Sequence, residues 1–418
     1  MHLSAEEMYL LIARLVREVA FGFIAIALPL YWHDSKVPSL DVGFTYTLVL
    51  LASAAASMLL GRKIDTIGRR RLLLVSSLLW VLSMPVLLTT HNIAVVAVVA
   101  VLATISPTGK EIGLYLAVEQ AALSKLVSGH DRTKTYALFN FIGYSATALG
   151  AALAAGIGLS QGSSGHFGAS LFTWIVLGYT AAGVIQFALY YVLGEDIEVS
   201  HLKSATDESP KTSTADAKAS YRPSPKVKRI VMTLTALFTL DAFSAGLIVQ
   251  GLLVFWFRIR FHFDLTQLGA LFFGTNILSA LSSFAAARLA KVFGLLNTMV
   301  FTHLPSNILL ILVPLMPNAY LAVAVLLLRH VLSQMDVPTR QAYTMAMVDT
   351  GDRSYLASWT NGARSLGTGG SPVLAGALIS SASLLSLPFL LSGGLKIVYD
   401  LALYAIFRKV PLEYYDTK

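Results

Sequence analysis

The chain has 418 residues, of which 56% are hydrophobic and 13% are charged, and its formal net charge is +8. Soluble domains carry about 25% charged residues, so this composition excludes an ordinary soluble enzyme. Cysteine is absent, which excludes disulfides, thiolate metal ligands and a cysteine nucleophile.

Apolar stretches follow one another along the chain, each close to the roughly 20 residues that a membrane-spanning helix needs. The apolar residues run continuously instead of alternating, which favours helices over the strands of a barrel. We number these stretches as spans 1 to 12, and they cover residues 9–32, 42–61, 72–90, 93–117, 135–158, 170–193, 231–257, 266–287, 296–316, 319–347, 354–380 and 384–407. The sequence therefore predicts an all-α, multi-pass membrane protein.

Lysine and arginine are distributed unevenly between the two sides of the predicted membrane. The connections on the side of the N terminus hold 21 of these residues, whereas the opposite connections hold three, Lys36, Arg258 and Arg260. Because cytoplasmic connections are enriched in Lys and Arg, both termini are predicted to be cytoplasmic. The excess of Lys and Arg is explained by this topology. We therefore expect the lipid bilayer, and no nucleic acid, as a partner. We expect the protein to lie in the plasma membrane.

The longest connection, residues 194–230, interrupts the apolar rhythm. It is polar and contains three prolines, as a linker between domains would. The sequence thus predicts an N-terminal six-helix bundle over residues 1–193, this cytoplasmic linker, and a C-terminal six-helix bundle over residues 231–418.

The two halves carry similar motifs in the same order, which indicates an internal repeat. The aligned pairs are Gly22 with Gly246, Trp32 with Trp256, Gly68 with Gly294 and Pro107 with Pro338. Repeats of this kind are typical of secondary transporters. The prolines of the last pair are also expected to kink or open their helices, because proline removes a backbone hydrogen-bond donor.

The connection between spans 2 and 3 reads GRKIDTIGRR from residue 61 to residue 70. Its glycines permit a tight turn, and Asp65 can approach a helix N-terminus, where the helix dipole favours a negative charge. This segment resembles the GxxxDxxGR(R/K) loop of the major facilitator superfamily (MFS), and it lies in the same place, although no particular subfamily is indicated.

The resemblance implies two pseudo-symmetric six-helix bundles and a conformational latch in this loop. In that latch Asp65 would bind the cytoplasmic end of span 11 near Asp352. The residues of the expected latch are Gly61, Asp65, Gly68, Arg69 and Arg70. The alternative for the arginines is that they only anchor the topology.

Ionisable side chains inside a membrane cost about 2.5–3.5 kcal/mol each on insertion scales and are functional candidates for that reason. The resemblance implies that spans 1, 4, 7 and 10 line a central cavity, and most of these charges lie there. The candidates for substrate binding and proton coupling are Arg17, Glu18, Lys110, Glu111, Asp241, Asp336, Arg340 and Arg364.

Two roles are open for these charges. Glu18 and Asp241 are candidates for a proton switch, since burial and a nearby cation act on a carboxylate in opposite directions. The alternative is a permanent salt bridge between the halves, with Arg17 opposite Asp241. Arg17 and Arg364 are candidates for holding an anionic group, or else they pair with carboxylates.

Two further observations concern the spans with fewer charges. Lys396 and Asp400, four residues apart in span 12, are expected to neutralise each other. His303 in span 9 is expected to be a packed histidine or one at the lipid interface.

The sequence contains no phosphate-binding P-loop, HExxH, GxSxG or EF-hand motif. We therefore expect no enzyme activity, no cofactor and no metal site, and transport would use an existing gradient. The leading expectation is a monomeric secondary active transporter that moves a small organic solute by alternating access, coupled to protons. The alternatives are a gradient-independent uniporter and, more remotely, a multidrug exporter by proton antiport.

Overall fold

The computed structural model describes residues 4–61, 63–90, 92–110, 113–126, 132–161, 169–198, 223–349 and 351–410. Within these ranges the secondary structure is helical and contains no strand. Each predicted span contains a described helix, and the all-helical fold is consistent with two six-helix bundles, although the second helix of span 4 extends beyond its predicted end.

The helices of the first half are α1 Ala5–Asp34, α2 Ser39–Gly61, α3 Ile64–Ile67, α4 Arg69–Ser83 with a 3₁₀ extension Met84–Leu88, α5 Ile93–Leu102, α6 Leu114–Leu126, α7 Arg132–Gln161 and α8 Ala169–Val192. The helices of the second half are α9 Pro225–Gly246, α10 Gln250–Phe261, α11 Leu265–Phe293, α12 Leu295–Leu312, α13 Ala319–Leu332, α14 Asp336–Ala346, α15 Arg353–Gly370, α16 Pro372–Ile379 and α17 Leu387–Phe407. Spans 4, 7, 10 and 11 each consist of two helices.

Span 4 was predicted as one helix, and it is broken between Leu102 and Leu114. Pro107 lies in the break, where its ring and missing N–H prevent a regular helix. Thr104 and Gly109 have positive φ angles of 52° and 68°, which end helical geometry on either side of it. The break confirms that the helix opens at Pro107, and it leaves Lys110 on non-helical backbone.

Nine of the described helical segments are long and apolar enough to cross a membrane, judged by length and composition. The three predicted spans outside this set are 1, 4 and 11. Span 1 contains Arg14, Arg17 and Glu18, span 4 is broken, and span 11 is divided before Pro372 and contains Arg364. Breaks and charges also occur in spans 7 and 10, which remain long and apolar enough to belong to the nine.

The two faces of the molecule are distinguished by the contacts at the helix ends. Asp34, which ends α1, contacts Arg258 near the end of α10, and Ser39, which begins α2, contacts Gly376 in α16. We call this the distal face. The opposite face, where α1 begins and α17 ends, is the terminal face.

Among the described residues, the buried apolar cluster that contains residues of both bundles lies toward the distal face. This cluster joins, for example, Trp32 and Tyr46 with Trp256 and Phe389. In the terminal half, one cluster belongs to the first bundle and another to the second. The bundles are thus joined by a common core near the distal face and have separate cores toward the terminal face.

Polar bonds between the bundles follow the same distribution. Arg258 Nη2 lies 2.9 Å from Asp34, and the N–H of Gly251 donates to the carbonyl of Pro107 at 2.9 Å. The N–H of Val373 donates to Thr47 Oγ1 at 3.0 Å. These bonds close the distal side of the interface.

Glycine allows the two bundles to touch backbone to backbone at this closure. A Cβ on Gly43 in span 2 would collide with the backbone of Pro372 and Gly376 in span 11. A Cβ on Gly269 in span 8 would likewise collide with Ala155 in span 5. Small residues at helix contacts permit such close approach in membranes.

Candidate functional site

A cavity of about 290 Å³ lies near the middle of the spans, beside the interface between the bundles. Its walls come mainly from spans 7, 8, 10, 11 and 12. The first bundle contributes Thr108 and Lys110 from the break in span 4. The volume is at the lower end of the roughly 300–1,000 Å³ typical of small-ligand pockets.

Asp241, in the first helix of span 7, is the centre of the charged wall of this cavity. Its carboxylate lies 2.5 Å from Lys396 Nζ, 2.9 Å from Arg364 Nη1 and 3.3 Å from Arg340 Nη1. Arg340 Nη1 also lies 2.6 Å from Asp336, one helical turn away in α14. Spans 7, 10, 11 and 12 are therefore tied together by one network of buried ion pairs.

A second polar group packs near this network. His303 Nδ1 lies 2.9 Å from Asp400 Oδ1, and Asn307 Nδ2 donates to Asp400 Oδ2 at 2.9 Å. The expected pairing of Lys396 with Asp400 is not formed, because Lys396 extends to Asp241 instead. Hydrogen bonds from span 9 to span 12 thus satisfy Asp400, and His303 lines the cavity instead of only filling the core.

The described residues that line the cavity carry more positive than negative charge. The cations are Lys110, Arg329, Arg340, Arg364 and Lys396, and the carboxylates are Asp241 and Asp336. Both carboxylates are engaged by Arg340. The cavity wall is therefore electropositive at neutral pH.

A separate charged cluster lies inside the first bundle. Arg17 donates to Glu119 from both terminal nitrogens, at 2.9 and 2.6 Å, and to the hydroxyl of Tyr190 at 2.8 Å. Tyr190 in turn donates to Glu119 at 2.6 Å. Arg17 and Glu119 are fully buried, so this bidentate pair joins spans 1, 4 and 6 without contact with solvent.

Glu18 belongs to the same region of the first bundle. Its carboxylate lies 3.5 Å from Arg14 Nη2, and Thr147 Oγ1 donates to it at 3.2 Å. The side chain is 2% exposed. Glu18 thus links span 1 to span 5.

The predicted site residues fall into three groups. Lys110, Asp241, Asp336, Arg340 and Arg364 line the central cavity together. Arg17 and Glu18 are buried in the first bundle and are not among the residues of this cavity wall. Glu111 lies outside the described residues.

The expected approach of Arg17 to Asp241 is replaced by a charge pair within each bundle. Arg17 binds Glu119, while Asp241 binds cations of the second bundle. Glu119 was missed because span 4 was predicted to end at residue 117, which placed this carboxylate in a connection. The helix α6 continues to Leu126, because the break shifts the span along the sequence.

Four residues that are not among the candidates from the sequence also line the cavity, namely Arg329, His330, His303 and Lys396. His330 Nδ1 lies 2.9 Å from Ser279 Oγ, and Arg329 Nη1 lies 3.4 Å from His330 Nε2. For Arg329 and His330 the sequence offered a usable signal, because they lie on span 10, the counterpart in the repeat of span 4, which carries Lys110.

The loop between spans 2 and 3 contacts the start of the connection that follows the first bundle. The carboxylate of Glu198 accepts the backbone N–H groups of Arg69 and Arg70, each at 2.8 Å, and so caps the start of α4. Gly68 precedes this cap with φ +101°, which favours glycine. Gly61 ends α2, and Asp65 lies in α3 with its side chain outside the described set.

The comparisons with known proteins agree with this fold. An uncharacterized membrane protein of Saccharomyces cerevisiae, YJR124C, is 24% identical over 416 residues, which cover 94% of this chain and 92% of the yeast protein. The nucleoside transporter NupG superimposes with a TM-score of 0.71 at 13% identity, covering 97% of this chain and 100% of NupG. A D-xylose–proton symporter superimposes with a TM-score of 0.69 at 13% identity, covering 98% of this chain and 99% of the symporter.

The family comparison concerns most of the sequence. The family model described as Major Facilitator Superfamily matches residues 10–335. This range runs from span 1 through span 9 into span 10, so the match covers most of the first bundle and the first part of the second. The chain is a membrane protein that belongs to the major facilitator superfamily.

Proposed function

We propose that this protein is a secondary active transporter that moves a small organic solute across the plasma membrane by alternating access, coupled to protons. The observation that carries the proposal is the charged cavity between two bundles that share a core on the distal side. A buried site of this kind is reached from one face while the other is closed. Rocking of one bundle against the other would close the cavity to the first face and open it to the second.

The free-energy cost of burying these charged side chains supports a transport role over a purely structural one. Hydrophobic residues of similar size often stabilise a protein as well as a buried ion pair does. The cavity wall nevertheless holds five cations and two carboxylates. Ionisable residues within a membrane commonly mark substrate and ion pathways.

Proton coupling is proposed for two carboxylates. Asp241 contacts three cations on three different spans, so protonation would release several ion pairs at once. Glu18 is buried beside Arg14 and joins spans 1 and 5. A fold shared with a D-xylose–proton symporter is consistent with this mode of coupling.

The remaining features complete the proposed cycle. The terminal face is proposed to be cytoplasmic, as the distribution of Lys and Arg predicts. The protein is proposed to act as a monomer with domains 1–193 and 231–418 and the linker 194–230. Asp65 is proposed to latch onto the end of span 11 when the terminal face closes.

Proton-driven flux in proteoliposomes tests the proposal. The full chain is reconstituted with the pH dye pyranine inside, and a panel of metabolites is added under an imposed pH gradient. We expect solute-dependent proton movement that Glu18→Gln and Asp241→Asn abolish while solute exchange persists. The control is Asp196→Asn, which removes an exposed carboxylate outside the spans. Solute flux that is unaffected by the pH gradient would instead establish a uniporter.

A further inference from the structure

We propose that the cavity binds the oxyanion group of a small organic solute, a carboxylate or a phosphate, between Lys110 of the first bundle and Arg329 of the second. This inference rests on the proposed transport function and specifies the substrate class of the same site. Lys110 comes from the break in span 4, and Arg329 lies near the end of α13 in span 10.

The first argument is that, in the part of the chain that the structure describes, neither cation forms an ion pair with a carboxylate. Arg340, Arg364 and Lys396 each form an ion pair with Asp241. Among the described residues, neither Lys110 nor Arg329 has a carboxylate within 4.0 Å. Lys110 Nζ instead lies 4.8 Å from the centre of the Tyr144 ring, and the carboxylate of Asp336 is engaged by Arg340.

The second argument comes from hydrogen-bond donors that have no partner. Arg329 Nε and Gln250 Nε2 are both buried and both lack a hydrogen-bond acceptor within the described part of the protein. Both residues line the cavity. Buried donors without acceptors are costly, and a ligand that supplies acceptor oxygens removes that cost.

These two observations select an anion over a cation or a neutral solute. A cationic group would meet an electropositive wall, and a neutral group would leave the charges of Lys110 and Arg329 uncompensated. An oxyanion accepts several hydrogen bonds at once, and guanidinium groups match carboxylate and phosphate oxygens well. Thr108, Thr275 and Asn276 also line the cavity and offer neutral polar groups for the rest of the solute.

The placement also connects binding with movement of the bundles. Lys110 and Arg329 belong to opposite bundles, so their positive charges oppose closure of the terminal side around an empty cavity. A bound anion would turn this repulsion into attraction. The solute would then hold the bundles together.

Ligand binding to the purified full-length protein tests the inference. The probes are succinate and glycerol 3-phosphate, and their neutral counterparts are succinamide and glycerol. We expect at least one anion to raise the thermal unfolding temperature in detergent and neither neutral compound to do so. The anion that binds distinguishes carboxylate from phosphate recognition, and binding of neither anion would overturn the inference.

Variants then locate the site. Lys110→Gln and Arg329→Gln are each expected to weaken binding on the order of tenfold, because each removes a charged hydrogen bond. Lys110→Arg and Arg329→Lys should retain most of the affinity. The control is Arg260→Gln, which removes an exposed arginine at the distal end of α10. Unchanged affinity in both glutamine variants would overturn the placement.

Flux of the same labelled probes separates this inference from the transport proposal. Anion binding without flux in proteoliposomes would contradict transport and leave the anion site in place. Flux of succinamide or glycerol at the rate of the anions, unchanged in Arg329→Gln, would support transport and overturn the anion site.

Discussion

Lys396 Nζ lies 2.5 Å from the carboxylate of Asp241 and thereby joins span 12 to span 7 in the middle of the second bundle. The two side chains are 6% and 3% exposed, so neither charge is satisfied by solvent. Arg364 and Arg340 share the same carboxylate. Asp241 is therefore the acidic residue that the three cations share, while Asp336 pairs with Arg340 alone.

Replacing Asp241 by asparagine should destabilise the protein more than replacing any one of its cationic partners. The change leaves three cations without their common partner, and an uncompensated buried charge costs about 3–5 kcal/mol. Thermal unfolding in detergent measures the effect. Arg364→Gln is the matched comparison. The Arg364 side chain is 25% exposed, so its replacement should lower the stability of the protein by less. Equal destabilisation by the two variants would contradict the central position of Asp241.

The pair of Arg17 and Glu119 should behave as one unit. Arg17→Met alone and Glu119→Gln alone each leave a buried partner unsatisfied, and each should cost about 3–5 kcal/mol. The double variant removes both charges together and should recover much of that loss. A double-mutant cycle of unfolding temperatures measures the coupling, and additive losses would show that the two side chains act independently.

The sequence predicted the all-helical membrane fold because a membrane imposes a length and an apolar composition on each helix, and nine of the described segments meet those requirements. Asp241, Arg340 and Arg364 are conspicuous in the sequence because they are charges within apolar runs, and all three line the cavity. The partners of these charges were harder to predict. Glu119 was assigned to a connection, because the break at Pro107 displaces the second half of span 4 by several residues.

The pairing of charges could not be read from the sequence for a further reason. Lys396 and Asp400 are one turn apart on a helix, which favours their mutual contact. In the folded protein Lys396 instead contacts Asp241, and Asp400 contacts His303. Likewise, Glu198 caps α4 from a position more than a hundred residues along the chain, a contact that only the folded bundle creates.

The ion pair of Asp34 and Arg258 should hold the distal face closed. Asp34→Asn removes a contact worth about 1 kcal/mol at a partly buried site, which corresponds to roughly a fivefold shift in population. Thr47 lies in the distal interface. Because the chain has no cysteine, the variant Thr47→Cys carries a single thiol at this position.

Maleimide labelling of Thr47→Cys measures this shift. The rate should rise several-fold in the Asp34→Asn background. Tyr320→Cys is the control, since Tyr320 is 88% exposed and should react equally in both backgrounds. An unchanged rate at position 47 would show that the ion pair does not restrain the face.

Gly109→Ala should weaken the contact between the break in span 4 and the second helix of span 7. Gly109 has φ +68°, and a Cβ there would lie 2.9–3.1 Å from the amide of Gln250. Strain of this kind costs about 1–3 kcal/mol. Thermal unfolding is the readout, and Gly370→Ala, where a Cβ meets nothing within 4 Å, is the control. Equal stability of the two variants would argue against a tight contact.

Alternate exposure of the cavity to the two faces is the central claim, and sided labelling of Thr368→Cys tests it most directly. Thr368 lines the cavity. In proteoliposomes of defined orientation, a membrane-impermeant maleimide should react rapidly from the terminal face and slowly from the distal face. Adding Asp34→Asn should accelerate the distal reaction. Reaction from one face alone in both backgrounds would contradict alternating access.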